Sequence, residues 1–394
     1  MKIDHPSAGR AVNPSLVHLA LAVGGFAIGT TEFATMSLLP YFARDLAIDA
    51  PTAGNVISAY ALGVVVGAPT IAVLAAKVSR RTLLIALMGI FALANGLSGI
   101  APTYHWMLLF RFLSGLPHGA YFGIAALVAA SLVPPNRRTM AVSRVMLGLT
   151  IATIVGVPFA NILGQVIGWR WGFGLVAVLA LITALLVALF APRDIAERDA
   201  SPLRELGALR RPQVWLTLAT GAVGFGGLFA VYTYLADTML AVTNVSPAMI
   251  PLALVLFGAG MTAGTIIVPR FADKSLMPTA AAIMLWSAVM LALWPIAALH
   301  LPTLLLAVFG IGLGGAYGVV LQTRLMDVAG DAQALAASLH HSAFNTANAI
   351  GPLLGGMAIR AGYGWTSTGY VGCALALGGL ATWLLSWKLS SRRS

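Results

Sequence analysis

Two ionisable residues stand deep inside apolar sequence: Glu32, in GTTEFATMSLLP, and Arg111, in RFLSGLPHGAYFG. A charge at the centre of a lipid-covered helix costs at least about 2.5–3.5 kcal/mol, so such residues mark ion or proton pathways by default. Glu32 is about 16 residues into the first apolar segment, which at ~1.5 Å per residue puts it roughly 10–12 Å from that segment's far end. Arg111 comes early in the fourth segment, which runs the other way, so it lies at a similar depth. An acid and a base at one depth can pair directly, through water or through a ligand. A carboxyl held between desolvation and a positive charge can load and release a proton as its exposure changes. Two plainer roles stay open: Glu32 as a cavity residue without a coupling role, and Arg111 as a tether for backbone carbonyls. The other carboxylates fall in loops or at segment ends.

His118 follows Arg111 by nearly two helical turns and shares its face, with Tyr121 close by and Pro117 set to bend the helix. His118 either carries a proton as a fallback to Glu32 or hydrogen-bonds a neighbour. In the second half His341, Asn345 and Asn348 follow a helical spacing. They offer donors and acceptors to a hydroxyl- or amide-bearing ligand, or else bond adjacent helices. Tyr232, Tyr234 and Asp237 close the seventh segment, and Asn161 and Gln165 lie in the fifth. The expected substrate-binding set is Tyr121, Asn161, Tyr232, Tyr234, His341 and Asn345. No metal-ligand spacing, Gly-Lys-Ser/Thr phosphate loop or nucleophile elbow is present. These residues therefore point away from an enzyme, a metal, a bound cofactor or direct ATP drive, and toward a proton gradient as the energy source. The single cysteine, Cys373, excludes a disulfide framework and reads as a packing residue.

The elements that must position these groups are membrane helices. Hydrophobic residues make up 59% of the 394-residue chain and charged ones 9%, against roughly 25% charged in a soluble domain. Spans of about 20 apolar residues are predicted near 16–39, 52–75, 82–100, 107–131, 140–166, 171–191, 213–236, 248–268, 279–299, 302–323, 335–358 and 366–387. The first is too long for a signal-peptide core, carries an acid and lacks a cleavage site. The charged stretch 192–212 separates a six-helix bundle at 1–191 from another at 213–394. All but four of the 23 basic residues fall in the termini and the loops after even-numbered helices; Arg44, Arg170 and Arg360 fall on the other side and Arg111 within a helix. By the positive-inside rule both termini are cytoplasmic. The net charge of +11 is then a topology signal facing lipid and not a nucleic-acid surface.

The two halves repeat. GLTIATIVGVPFANILGQVIGW (148–169) and FNTANAIGPLLGGMAIRAGYGW (344–365) lie about 195 residues apart and share a central proline, Pro158 or Pro352, and a closing Gly and Trp. Small residues recur every fourth position, Gly148, Ala152, Gly156, Ala160 and Gly164 in the first, which lets helices approach closely in lipid. Such repeats build many secondary transporters. The expectation is that these faces slide against each other between the halves.

The loop AVLAAKVSRRTLL (72–84) resembles the G-x-L-a-D-R-x-G-R-K signature of the major facilitator superfamily, with Lys77, Arg80 and Arg81 at basic positions and Ala76 where the family has Asp. The sister loop PRFADKS keeps the acid at Asp273. RFLSGLPHGAYFG resembles the R-x-x-x-G pattern of proton-coupled members, and Gly148, Gly156 and Pro158 resemble the Gly/Pro pattern of exporters. Together with FNTANAIG these are similar to the twelve-helix drug:proton antiporters, most closely the arabinose-efflux-like and chloramphenicol-resistance-like subgroup. The resemblance implies an all-α integral membrane fold of two pseudo-symmetric six-helix bundles around a cavity. It implies alternating access and proton-driven export of drug-like compounds or sugars from a bacterial-type inner membrane. The expected partners are a small-molecule substrate, protons and lipids, and the expected state is a monomer. A proton-coupled sugar symporter or facilitator is the alternative; a non-transporting membrane receptor has no use for a buried acid and base at matched depth.

Overall fold

The computed structural model describes residues 13–48, 50–193, 205–246 and 249–391. The described residues hold helices and turns and no strand. With no water inside a bilayer, a spanning segment must satisfy its own backbone, and the helix does this within one segment. Among the described residues twelve long helical segments result, some of them broken, besides short turns at Pro135–Arg137 and Gly207–Arg210. The first half comprises α1 (Pro14–Asp45), α2 (Ala50–Leu74), α3 (Arg80–Gly99), α4 (Tyr104–Ser131), α5 (Arg138–Ile151 and Val157–Val166, joined by a π-helical turn at Ala152–Gly156) and α6 (Arg170–Phe190). The second comprises α7 (Pro212–Gly224, Gly226–Thr233 and Leu235–Ala241), α8 (Ile250–Ala272), α9 (Leu276–Ala297), α10 (Leu301–Gly314 and Tyr317–Val328), α11 (Gln333–Ala358) and α12 (Ser367–Ser391). Local chemistry sets several starts. Asn13 and Ser79 cap α1 and α3 with their side-chain oxygens, and proline occupies the first turns of α1, α7, α8 and α10, where a missing N–H costs nothing.

Eleven of these segments are long and apolar enough to cross a membrane. The exception is α11, whose Ser338, His340, His341, Ser342 and Asn345 lower its hydropathy but are buried against other helices. Lipid does not meet that face, so its polarity carries no partition cost. α1 extends to Asp45, beyond the expected end near 39, so Glu32 is farther from the far end than the sequence implied.

Within the first half α2 packs on α4, α3 on α4 and α6, and α1 on α5 and α6; within the second α8 packs on α10, α9 on α12, and α7 on α11 and α12. The halves meet where α11 lies on α2 and α4 and where α8 and α10 lie on α5. The expectation that the small-residue faces of α5 and α11 slide between the halves is corrected here. A Cβ at Gly148 would run into the Ala22 carbonyl of α1, one at Gly156 into Thr30, and one at Gly351 into Gly226 of α7. These glycines seat α5 on α1 and α11 on α7, each inside its own half. Close backbone approach suits a permanent contact, because it leaves no side chain free to re-pack. The contacts between halves use other positions. Gly258 of α8 faces Thr153, and Gly119 and Gly123 of α4 face Ser338 and His341.

The end of the bundle that holds the described basic loops is here termed the basic end; Lys2, Arg10, Arg198, Arg204, Arg392 and Arg393 lie outside the described residues. At the far end Asp45 joins α1 to α6, pairing with Arg170 and accepting from Trp169 Nε1 at 3.1 Å. Those two donors, Arg170 foremost, hold its carboxyl below the usual carboxylate range.

Candidate functional site

Glu32 is buried in α1, and neither carboxyl oxygen has a hydrogen-bond partner. A bare buried carboxylate is among the costliest groups a protein can hold, and its neighbour is a cation. The Arg111 guanidinium of α4 is fully buried and acts on Glu32 through space without a direct bond. Arg111 is held by other groups. Its Nη1 donates to Thr31 Oγ1 at 3.1 Å and Ser114 Oγ at 3.3 Å, and its Cζ lies 4.3 Å from the Tyr60 ring centroid. Thr31 in turn donates to Asn95 Oδ1 at 2.8 Å, and Asn95 donates to the Phe91 carbonyl. The arginine is thus fixed to the residue preceding Glu32 and braced from α3, while Glu32 itself stays unbonded.

Tyr60 of α2 continues the line. Its hydroxyl is 2.8 Å from His118 Nδ1, and the His118 ring centroid is 5.1 Å from that of His341 on α11. His341 stacks on Phe122 of α4 at 4.5 Å, and His340 stands beside it at 5.2 Å. The Nε2 atoms of His118 and His341 are buried without partners. Polar groups therefore run from Glu32 and Arg111 through Tyr60 and His118 to His341, across the boundary between the halves.

On the second half the breaks of α7 and α10 meet. Phe225, between two segments of α7, stacks on Tyr317 at the restart of α10 with centroids 4.2 Å apart. Phe344 and His340 of α11 pack edge-on against Phe225. Buried atoms without partners cluster on these helices: Tyr317 OH, Gln322 Oε1, Ser338 Oγ and Ser342 Oγ. Broken helices beside unsatisfied polar atoms are how bilayer proteins line a ligand site.

The expected substrate-binding residues divide. His341 joins this region, and Asn345 is buried in α11 with its amide donating to the His341 carbonyl at 3.0 Å. The Tyr232 ring packs tilted against that of Phe257 of α8, with centroids 4.4 Å apart. Tyr234 donates to the Pro352 carbonyl at 2.9 Å and so ties α7 to α11. Tyr121 lies inside the first half, its hydroxyl donating to the Leu21 carbonyl at 2.9 Å. The side chains of Asn161 and Gln165 lie outside the described residues. Sequence reasoning passed over Tyr60, Thr31, Asn95 and Phe225. The one signal for Phe225 was its place in the run GFGG.

At the basic end the halves are joined. Asp273 of the α8–α9 loop accepts from the backbone N–H of Thr139 at 2.8 Å and of Met140 at 3.2 Å, capping the start of α5. Arg138 faces Asp327 of α10 at 3.9 Å, and Gln322 reaches the Phe122 carbonyl. The sister position, Ala76, offers no acid to α11. The start of α11 is capped instead by Glu205 of the inter-half connection, whose buried Oε2 accepts from Leu335 N–H at 2.9 Å. Lys77 is exposed in the α2–α3 loop, Arg80 opens α3, and Arg81 donates to the Ala188 carbonyl of α6. Pro158 follows the π-helical turn of α5, where its missing N–H belongs.

Comparison with known proteins agrees with this architecture. The inner membrane transport protein YdhP of Escherichia coli (strain K12) is 40% identical over 401 residues, covering 100% of this chain and 97% of that protein. A chloramphenicol resistance protein of Streptomyces lividans is 36% identical over 345 residues, covering 85% of this chain and 86% of its own length. The crystal structure of the E. coli fucose:proton symporter FucP superposes with a TM-score of 0.77 at 14% identity, covering 95% of this chain and 98% of FucP, and so shares the fold. A family model described as Major Facilitator Superfamily matches residues 21–335, and the chain belongs to that superfamily, with its fold of twelve helices in two six-helix halves.

Proposed function

We propose that the chain is a proton-driven exporter of small organic molecules in a bacterial inner membrane, with the basic end and both termini in the cytoplasm. The observation that carries this reading is Glu32: a buried carboxyl with no hydrogen-bond partner, set beside a braced arginine. A carboxylate in that place is costly until it takes up a proton or meets a cation. With the halves joined at the basic end, Glu32 takes its proton from the far side. Neutral Glu32 no longer needs Arg111, and the halves rock to open the basic end. There the proton leaves and substrate binds against Phe225, Tyr317 and His341. Arg111 then favours the charged carboxylate, and the return stroke releases substrate outside. The chain is a monomeric carrier of this kind and not an enzyme, and it uses no cofactor.

The aromatic stack with unpartnered hydroxyl, amide and imidazole groups suits flat molecules that bear amides or hydroxyls. The inner-membrane and resistance functions in its relatives' names support both the location and the direction. The test is a substrate panel in proteoliposomes of fixed orientation with an imposed proton gradient. The expected result is substrate movement opposite to protons that collapses when the gradient is dissipated. Movement with protons would make the chain a symporter, and movement indifferent to the gradient a facilitator.

A further inference from the structure

A crevice of about 410 Å³ separates the basic-end portions of α1 and α5 on the outside of the first half. Its walls are Leu19 and Phe26 of α1 and Leu147 and Ile151 of α5, and its floor is closed where Gly148 meets Ala22. Leu19 and Ile151 are exposed, and the apolar row continues along α5 through Val155, Phe159 and Ile162, all exposed. In a membrane protein an exposed row of that length faces acyl chains. The crevice therefore opens sideways to lipid and is separate from the region around Glu32.

Its basic end is polar and ordered. Arg144 Nη1 donates to His18 Nδ1 at 3.2 Å, and His18 Nε2 is 3.2 Å from the Ala129 carbonyl at the end of α4. Arginine only donates and a carbonyl only accepts, so Nδ1 must be the acceptor and Nε2 must carry the hydrogen. A neutral, buried His18 thus orients Arg144. Among the described residues no carboxylate pairs with Arg144, although Arg138 and Arg170 each have one. Arg144 is six residues into α5, ~9 Å along its axis, and His18 is four residues into α1. That depth is where phosphate and glycerol groups meet the hydrocarbon edge, about 5–8 Å of interface per leaflet.

We infer that this crevice is a binding site for an anionic phospholipid, its phosphate on Arg144 and one acyl chain along Leu19, Leu147 and Ile151. The unpaired guanidinium selects the headgroup, and a zwitterionic lipid brings its own cation into conflict with it. The proposed function enters only in saying that the leaflet is the cytoplasmic one. Binding itself depends on neither transport nor orientation.

The test is native mass spectrometry of the full-length protein in detergent, titrated with phosphatidylglycerol or with phosphatidylethanolamine of the same chains. Phosphatidylglycerol adducts should persist to higher collision energy than phosphatidylethanolamine adducts. Arg144→Gln should weaken the phosphatidylglycerol adduct about tenfold, the scale of one charge-assisted contact to phosphate, and Arg144→Lys should retain most of it. Leu147→Trp, which fills the groove and leaves the charge, should also lower occupancy, with an unchanged melting temperature in lipid-free detergent showing that the fold persists. Equal retention of the two lipids would overturn the proposal. So would an Arg144→Gln adduct as stable as wild type, or displacement of the lipid by millimolar inorganic phosphate, which would make the site an anion site without a lipid.

Discussion

Glu32 and Arg111 differ in how firmly the protein holds them, and that difference sets their mutants apart. Glu32→Gln keeps size and hydrogen-bonding capacity but cannot ionise. It should bind substrate as wild type does, lose gradient-driven accumulation in proteoliposomes, and show binding that no longer varies with pH. Accumulation at the wild-type level would move the proton to His118 or His341, the other buried groups on the same line with unpartnered nitrogens. Arg111→Ala should do more, because it empties the buried space over Tyr60 and takes from Glu32 its neighbouring cation, while Thr31 keeps its bond to Asn95 and Ser114 its bond to the backbone carbonyl at 111. A fall in melting temperature together with lost turnover is expected, since truncating a large, fully buried side chain leaves a cavity that costs about 2–5 kcal/mol. Both residues were legible in the sequence because a charge in an apolar run has few structural excuses. Thr31, Asn95 and Tyr60 were not. Such residues are ordinary in membrane helices, and only the packing of α1, α2, α3 and α4 shows that they brace the pair.

At the scale of the helix, the four-residue spacing of Gly148, Ala152, Gly156, Ala160 and Gly164 correctly announced a tight helix contact but not its partner. α1 and the opposite half both offer apolar surface, and periodicity does not tell one from the other. With α1 as the partner, Gly156→Leu should damage folding itself. A side chain driven into Thr30 overpacks a permanent contact, at a cost of about 1–3 kcal/mol or more, readable as lower yield and melting temperature. Gly258→Leu tests the other kind of contact. Gly258 faces Thr153 across the boundary between the halves, so the variant should insert and melt normally while transport falls. If both variants behave alike, the division between fixed and moving contacts is wrong. The breaks in α7 and α10 were hidden for a related reason. Glycine runs such as GFGG occur in straight membrane helices too, and only the stack of Phe225 on Tyr317 shows that these two are kinked together.

For the whole molecule, the number and alternation of helices could be read from the basic residues, and α11 was counted although its polar face lowers its hydropathy. What joins the halves could not be read as completely. Asp273 was visible by its place in a loop motif, but its receptor, the start of α5, is 134 positions away. A carboxylate on a helix N-terminus is worth about 0.5–2 kcal/mol. Asp273→Ala, which removes both acceptor oxygens, should therefore shift the protein toward an opened basic end without unfolding it. Spin labels on the α4–α5 and α10–α11 loops should report a larger population of long distances; an unchanged distribution would show that Arg138–Asp327 and the packing of α11 hold the closure alone.

Glu205 bears on where this chain can be severed. It precedes the second half in sequence and is bonded, through Leu335, to a helix of that half 130 positions later. The connection is therefore not uniform: its last part is a fixture of the second half, whatever the part before it does. Co-expressed fragments 1–198 and 199–394 should reassemble into an active carrier, because the second fragment keeps its own cap on α11. Fragments 1–208 and 209–394 leave that carboxylate on the wrong piece and should reassemble poorly, with activity restored when the second fragment is extended back past Glu205.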